Sequence, residues 1–370
     1  MIIGVTKESL ENENRVALDP GTAGKLVKSG LKVQIEKDAG VGASFSNEAY
    51  ENAGAKVVET KDFYASTDIF FKINAPTDAE VSQMKTCSMV IGLLNPYQNQ
   101  SHLEKLCSKK ITAFSLELLP RISRAQSMDV LSSQASLAGY KAVLMGAATL
   151  GKYFPMMTTA AGTMPPSKVL VVGAGVAGLQ AIATAKRLGA IVEAYDIRPE
   201  VKEQIESLGA KAVTIQLEEN TATSGGYAKE VSKDTQKKIQ DVLAAHVQKS
   251  DVVITTAQVP GKKAPRIITE TMIDGMSPGS VVLDMAAEQG GNCAYSKPGE
   301  TVHHQGITIL GPRNLPATMP IHASLMYAKN ISTFLKYFLK EGAPYLDFND
   351  EIISASCVTH EGINRLQEKK

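Results

Sequence analysis

The segment Lys168-Val169-Leu170-Val171-Val172-Gly173-Ala174-Gly175-Val176-Ala177-Gly178 constrains this chain more than any other. Its apolar, β-branched run has the pattern of a strand buried on both faces of a parallel sheet. The run passes directly into G-x-G-x-x-G, and a helical stretch over 179–188 follows. The three glycines serve different ends. Gly173 permits a tight turn, Gly175 lets a pyrophosphate approach the backbone, and Gly178 lets helix and strand pack closely. The helix N-terminus then offers free N–H groups and a partial positive charge to phosphates. The next strand, Ile191-Val192-Glu193-Ala194-Tyr195, ends at Asp196, at the spacing of about 20 residues that the dinucleotide fingerprint requires. A carboxylate there accepts hydrogen bonds from both ribose hydroxyls and repels a 2′-phosphate, which favours NAD over NADP. Arg198 points the other way, since an arginine pairs with a 2′-phosphate; the carboxylate ranks first.

Length and composition narrow the class. A chain of 370 residues has room for two or three domains with real cores. It is 44% apolar and 21% charged with a net charge of +1, so nothing points to nucleic acid or an acidic membrane surface. No apolar run approaches the length of a bilayer span, and Met1–Val5 reads as a strand rather than a signal peptide. Cys87, Cys107, Cys293 and Cys357 lack metal-ligand spacing and read as buried thiols in a reducing, cytosolic setting.

Strands alternate with helices along the first third: strands over 2–5, 31–36, 56–58, 69–71, 89–93 and 111–114, with helices from Pro20 to Ser29, from an Asn47 cap to Gly54, and near 78–84 and 102–107. The rhythm predicts a parallel sheet with helices on both faces. Residues 127–153 are helix-prone and long enough to bridge two domains. After Asp196 the pattern predicts a helix to Leu208 and strands over 211–215, 251–257, 280–284 and 307–310, then a crossing over 312–320 and a helical tail over 322–340 that packs back on the first domain. The expected fold class is α/β: two Rossmann-like doubly wound parallel-sheet domains linked by long helices. Residues 1–126 with 321–370 form one domain, and 127–320 form the fingerprint domain. The polar segment over 217–232 breaks the rhythm and reads equally as a lid or a passive surface loop.

Ligands of such sheets bind at the carboxyl ends of strands, which here carry Ala257, Gln258, Val259, Asp284, Glu288, Gly290, Gly291 and Asn292. A second polar concentration runs from Leu119 to Ser132. Gln126, Asp129 and Ser132 recur every three residues, a slanted stripe if they share a helix, with Arg121 just before them. Together these groups can hold a ribose and a carboxamide; composition alone favours a plainer reading, a helix start with an acid at its positive end. The histidines form no catalytic set. His303-His304 reads as an exposed turn, and only His322, near the crossing, stands out.

The whole chain resembles the NAD(H)-binding component of proton-translocating NAD(P) transhydrogenases. The resemblance rests on Gly4-Val5-Thr6-Lys7-Glu8, Asn14-Arg15-Val16-Ala17-Leu18 and, most specifically, Pro120-Arg121-Ile122-Ser123-Arg124-Ala125-Gln126-Ser127-Met128-Asp129. Gly173–Gly178, Gly225-Gly226-Tyr227, Val259-Pro260-Gly261 and Met285-Ala286-Ala287-Glu288-Gln289-Gly290-Gly291 complete it. It implies that Arg121, Gln126, Asp129 and Ser132 contact the nicotinamide end of NAD, and that Tyr227 sits on a mobile loop closing over the nucleotide. With the fingerprint, the expected cofactor-binding set is Gly173, Gly175, Val176, Gly178, Asp196, Ile197, Arg198, Ala257 and Gln258, with Ser127, Met128 and Gly226. A family glutamine that contacts NAD falls at Ile239. The resemblance further implies direct, Si-face/Re-face specific hydride transfer to NADP(H) on a partner subunit, proton translocation in the full complex, no metal, and a homodimer. The chain would dock, without inserting, on the cytoplasmic face of the inner membrane through the beta subunit and membrane-spanning subunits.

The fold is also similar to alanine dehydrogenase, the main competing reading beside a non-catalytic NAD-binding module. Oxidative deamination moves protons as well as a hydride and needs acid–base groups. That family's lysine, histidine and aspartate positions hold Asn74, the Leu94-Asn95-Pro96 region without histidine, and Glu288; its substrate-carboxylate arginine survives as Arg15.

Overall fold

Two sheets organise the molecule, each built from an alternation the sequence shows directly. The computed structural model describes residues 1–215, 232–258 and 263–368. These divide into two compact units, residues 1–134 with 316–370, and residues 135–315. The sequence pattern places these junctions at 126/127 and 320/321.

In the first unit, eight strands lie in the order Ile363–Asn364, Cys357–His360, Thr112–Ser115, Met89–Leu93, Ile69–Asn74, Ile2–Val5, Lys32–Glu36, Lys56–Val58. The six strands from the first third of the chain are parallel. Both faces are covered, so successive residues enter different cores: Ile69, Phe71 and Ile73 one, Phe70 the other. The helix Pro20–Lys28 starts as its sequence predicts, Asp19 accepting the N–H of Thr22 with Pro at the first turn. The next helix, Asn47–Asn52, is capped by Ser46 rather than Asn47, whose amide turns back to Asp38. The tail belongs to this unit. Pro320–Phe338 buries Tyr327, Phe334 and Phe338 in the first core, and Cys357–His360 adds an antiparallel strand beside Thr112–Ser115.

The second unit carries seven strands in the order Lys211–Ala212, Ile191–Tyr195, Lys168–Val172, Val252–Thr255, Val281–Asp284, Ile307–Leu310, Thr301–His304. All pairings are parallel except the last. The fingerprint strand feeds Val169 and Val171 into one core and Leu170 and Val172 into the other. His303 and His304 therefore lie on an edge strand, not a turn; His304 pairs with Asp274 at 2.7 Å and stacks on Tyr295. Ahead of the fingerprint strand, Met157–Thr159 and Gly162–Met164 form a short antiparallel hairpin. The polar segment over 217–232, read equally as a lid or a passive surface loop, lies outside the described residues up to its last residue, Ser232. Of the cysteines, Cys293 and Cys357 are buried and Cys107 partly so, but Cys87 is exposed, against expectation.

The long helix-prone stretch is the main departure. Residues Ser123–Met128 form a 3-10 turn, and the α-helix begins only at Val130, running to Thr149. Asp129, between them, accepts the backbone N–H of Ser132 at 2.9 Å and its hydroxyl at 2.5 Å. That is an N-cap, so Gln126, Asp129 and Ser132 do not share a helical stripe. The acid satisfies an orphan backbone donor at the helix start, as the plainer reading had it.

Candidate functional site

The fingerprint turn has the shape its glycines require. Gly173 has φ +97°, a left-handed conformation. A Cβ on Gly178 would stand 1.9 Å from the Gly173 carbonyl oxygen, so only glycine lets the helix Val176–Arg187 approach the turn. Gly175 differs: a Cβ there would meet nothing within 4 Å. It is the N-cap of that helix, and no side chain caps it. An open face, a bare backbone and an uncapped helix N-terminus thus coincide, the arrangement a pyrophosphate needs. Val176, 45% exposed, stands at the same mouth.

Asp196 leaves the adjacent strand and turns its carboxylate onto this loop. One oxygen accepts the Ala174 N–H at 2.7 Å and the other the Arg198 N–H at 2.9 Å. The Arg198 guanidinium adds two further bonds, Nε and Nη2 each at 2.9 Å. The pair is largely shielded, and the Asp196 hydrogen bonds push the guanidinium above its already high value, burial opposing only in part. Ile197 is half-buried against the neighbouring core. On the other side of the turn, the Thr256 hydroxyl donates to the Gly173 carbonyl at 2.9 Å, tying the end of strand Val252–Thr255 to the glycine loop. Ala257 follows, its carbonyl held by the Asn292 amide at 2.8 Å, and the exposed Gln258 donates to the Met285 carbonyl at 3.0 Å. Gly173, Gly175, Val176, Gly178, Asp196, Ile197, Arg198, Ala257 and Gln258 thus gather at the carboxyl ends of the parallel strands of the second unit. The sequence reading missed Ala174 and Thr256, which carry no motif; a threonine at the end of a strand beside the fingerprint was the available signal.

Behind them, the buried Asp284 accepts the Thr255 hydroxyl at 3.0 Å and the N–H groups of Ala286 and Cys293. Its carboxylate ties together Ala286 and Cys293, which flank the Gly290-Gly291 turn. Glu288 is exposed and accepts the Asn314 N–H. Ile239 is a core residue, 5% exposed, on the helix Lys233–Gln248; its side chain packs inside and is no counterpart of a polar contact.

The second predicted group lies in the first unit. Arg121, Gln126 and Ser127 are exposed, Asp129 and Ser132 partly buried, and Met128 is a core side chain at 3% exposure. Asn330 fixes the turn by donating to the Ser127 carbonyl at 2.9 Å. Gly226 and Tyr227 lie outside the described residues, as does Val259-Pro260-Gly261. His322 is exposed at the start of its helix and belongs to neither group.

The first unit also buries a charged cluster at the ends of its central strands. Arg15, 5% exposed, grips Glu13 with two bonds of 2.7 and 2.6 Å and donates to Gln134 at 2.9 Å. Asn74 donates to Glu8 and to Glu13, each at 3.1 Å. Lys72 is paired with Glu80 at 2.8 Å. Burial raises the Glu8 carboxyl above its usual range, against the pull of Lys72. Burial acts on Glu80 too, but Lys72 and the Thr77 hydrogen bonds outweigh it and hold that carboxyl below its usual range. Among the described residues no group of three or more His, Cys, Asp or Glu could hold a metal, and no helix is long and apolar enough to cross a membrane.

Comparison with known proteins agrees with this architecture. Residues 4–138 match the model of the alanine dehydrogenase/PNT N-terminal domain, and residues 142–366 that of the C-terminal domain. The chain is 46% identical over 372 residues to an NAD(P) transhydrogenase alpha subunit chain of Rhodospirillum rubrum, covering 98% of this chain and 97% of that one. A crystal structure of transhydrogenase from Sinorhizobium meliloti superposes with a TM-score of 0.89 at 42% identity, over 98% of this chain and all of that one. An L-alanine dehydrogenase structure is more distant, with a TM-score of 0.81 at 26% identity over 98% of this chain and 96% of that one. With both domain models matched in order and relatives of such identity along nearly the whole length, the chain belongs to the alanine dehydrogenase/PNT family, on the side of its NAD(P) transhydrogenase alpha subunits.

Proposed function

We propose that this chain is the NAD(H)-binding subunit of a proton-translocating transhydrogenase. The observation that carries the proposal is the cradle at Gly175: open space over a bare backbone, an uncapped helix N-terminus, and the Asp196 carboxylate beside them. Gly173, Gly175 and Gly178 would hold the pyrophosphate, Val176, Ile197 and Arg198 would border the adenosine with Asp196, and Ala257 and Gln258 would lie along the dinucleotide. Arg121, Gln126, Asp129 and Ser132 would orient the nicotinamide, with Ser127 and Met128 lending the same turn and Gly226 and Tyr227 closing over it. The bound dinucleotide supplies the hydride, exchanged directly with NADP(H) on a partner beta subunit. Transfer between two nicotinamides moves no proton at either ring, so this chain has to place and shield the ring and need supply no acid or base.

The charged cluster of the first unit favours this over amino-acid dehydrogenation. Arg15 is engaged by Glu13 and Gln134, and Asn74 is an amide engaged by two carboxylates. Neither is poised to take a substrate carboxylate or a proton. A homodimer fits the hairpin of the second unit, whose six strand residues are all exposed and whose flank carries Met156 at 64% and Tyr153 at 53% exposure. Docking on the cytoplasmic face of the inner membrane would run through the beta and membrane-spanning subunits.

The deciding assay mixes the full chain with membranes bearing the NADP(H)-binding subunit and follows reduction of an NAD analogue by NADPH. Transfer that needs both components is expected. NAD+ reduction by L-alanine with this chain alone would defeat the proposal. NADH binding without exchange would leave a binding module.

A further inference from the structure

The Asp196 carboxylate has its acceptor positions filled. An ionised carboxylate offers about four lone-pair sites, and here each oxygen accepts two N–H donors. Oδ1 takes the Arg198 N–H and Nε, and Oδ2 takes the Ala174 N–H and Arg198 Nη2, at 2.7 to 2.9 Å. The four donors are of two kinds. The Ala174 and Arg198 N–H groups are backbone, fixed by the glycine turn and by the loop after the strand. They aim the carboxylate and cannot leave. The other two belong to one guanidinium on a flexible stem, which can.

We propose that Arg198 is an internal competitor for the ribose site, lowering affinity for NAD(H) and weakening the exclusion of its 2′-phosphorylated counterpart. This rests on the dinucleotide reading above. Vicinal ribose hydroxyls present two donors side by side, as Nε and Nη2 do, so hydroxyl pair and guanidinium seek the same two positions. The competition is not negligible, because side-chain exposures of 15% for Arg198 and 7% for Asp196 shield the pair more than a surface salt bridge. Apparent affinity falls in proportion to the fraction of time the carboxylate is uncovered. The displaced guanidinium keeps its charge and stays within side-chain reach of the ribose, where it would meet a 2′-phosphate and offset the repulsion from Asp196. In the empty protein the pair spares Asp196 from standing as an uncompensated, nearly buried charge.

The test is equilibrium titration of the full chain with NADH and with NADPH, read by nucleotide fluorescence, for wild type, Arg198→Ala, Arg198→Lys and Asp196→Ala. Arg198→Ala is expected to lower the Kd for NADH by about threefold or more and to widen the NADPH-to-NADH Kd ratio by about tenfold. Arg198→Lys keeps the charge without the planar fork, so it should relieve the competition for NADH while leaving the ratio near wild type. A purely structural role for Arg198 would weaken both nucleotides alike and leave the ratio unchanged, and that result overturns the inference. Weaker NADH binding by Arg198→Ala with wild-type binding intact overturns it as well. If Asp196→Ala binds NADH as wild type does, the ribose assignment itself falls and the inference with it.

Discussion

Gly175 and Gly178 look equivalent in a motif and are opposites in space. A methyl group on Gly178 would sit 1.9 Å from the Gly173 oxygen, whereas one on Gly175 would touch nothing within 4 Å, and Gly175 has an ordinary φ of −72°. Gly178→Ala should therefore lower the melting temperature of the empty protein and abolish NADH binding together. Gly175→Ala should leave the melting temperature within about 2 °C, a change under about 0.5 kcal/mol, while weakening NADH by tenfold or more. Equal effects of the two on stability would contradict this division. Lys72 and Glu80 give a second residue-scale expectation. Glu80→Gln leaves a lysine at 1% exposure without its closest counter-charge, a loss of about 3 kcal/mol or more. The native Glu80 carboxyl is held below its ordinary value of 4.5, so its contribution is complete above that pH and fades as pH falls through the lower, folded value. Urea titrations of wild type and variant should accordingly converge as pH falls through that lower, folded value. The glycine roles were legible because backbone sterics are local. The Lys72–Glu80 pair was not, since nothing in the sequence says which strand end faces which helix start.

At the scale of elements, period and end signals identified the central strands and most helices, because both are consequences of residues near one another in sequence. Predictions failed where two end signals competed or where partners came from afar. Ser46 outcompetes Asn47 as a cap because Asn47 is drawn to Asp38. The helix-prone run from Ser127 is broken because Asp129 can cap the helix that follows. Asp129→Ala should cost about 1 kcal/mol of stability, measurable by denaturant midpoint, and should slow hydride transfer more than cap loss alone explains if it also orients the ring. The exposed Arg121 and Gln126 offer the cleaner test. Their alanine variants should lower the transfer rate by about tenfold or more with NADH Kd changed less than about threefold; a loss confined to affinity would make them simple binding residues. The strand Cys357–His360 escaped the sequence reading because four residues are too few to show a period, and the strand is defined by its antiparallel neighbours Thr112–Ser115 and Ile363–Asn364.

For the molecule as a whole, two sheets carry two different kinds of polar centre, and among the described residues the one on the fingerprint sheet is the open one. The fingerprint sheet presents a bare backbone and an aimed carboxylate, while the sheet of the first unit closes Arg15, Lys72 and Asn74 onto carboxylates. If the exposed hairpin joins two copies, Met157→Asp should shift the sedimenting species from dimer to monomer while sparing the melting temperature of each unit; an unchanged mass would remove the hairpin from the interface. The sequence by itself determined the α/β class, the glycine turn and the family, because each is written in local steric and periodic constraints or in long contiguous motifs. Only the tertiary structure decided that Asp129 is a cap, that Ile239 is core, that Arg15 is bound to Glu13, and that Arg198 covers Asp196. Those outcomes depend on which side chains packing across the fold brings together, and no spacing along the chain fixes that.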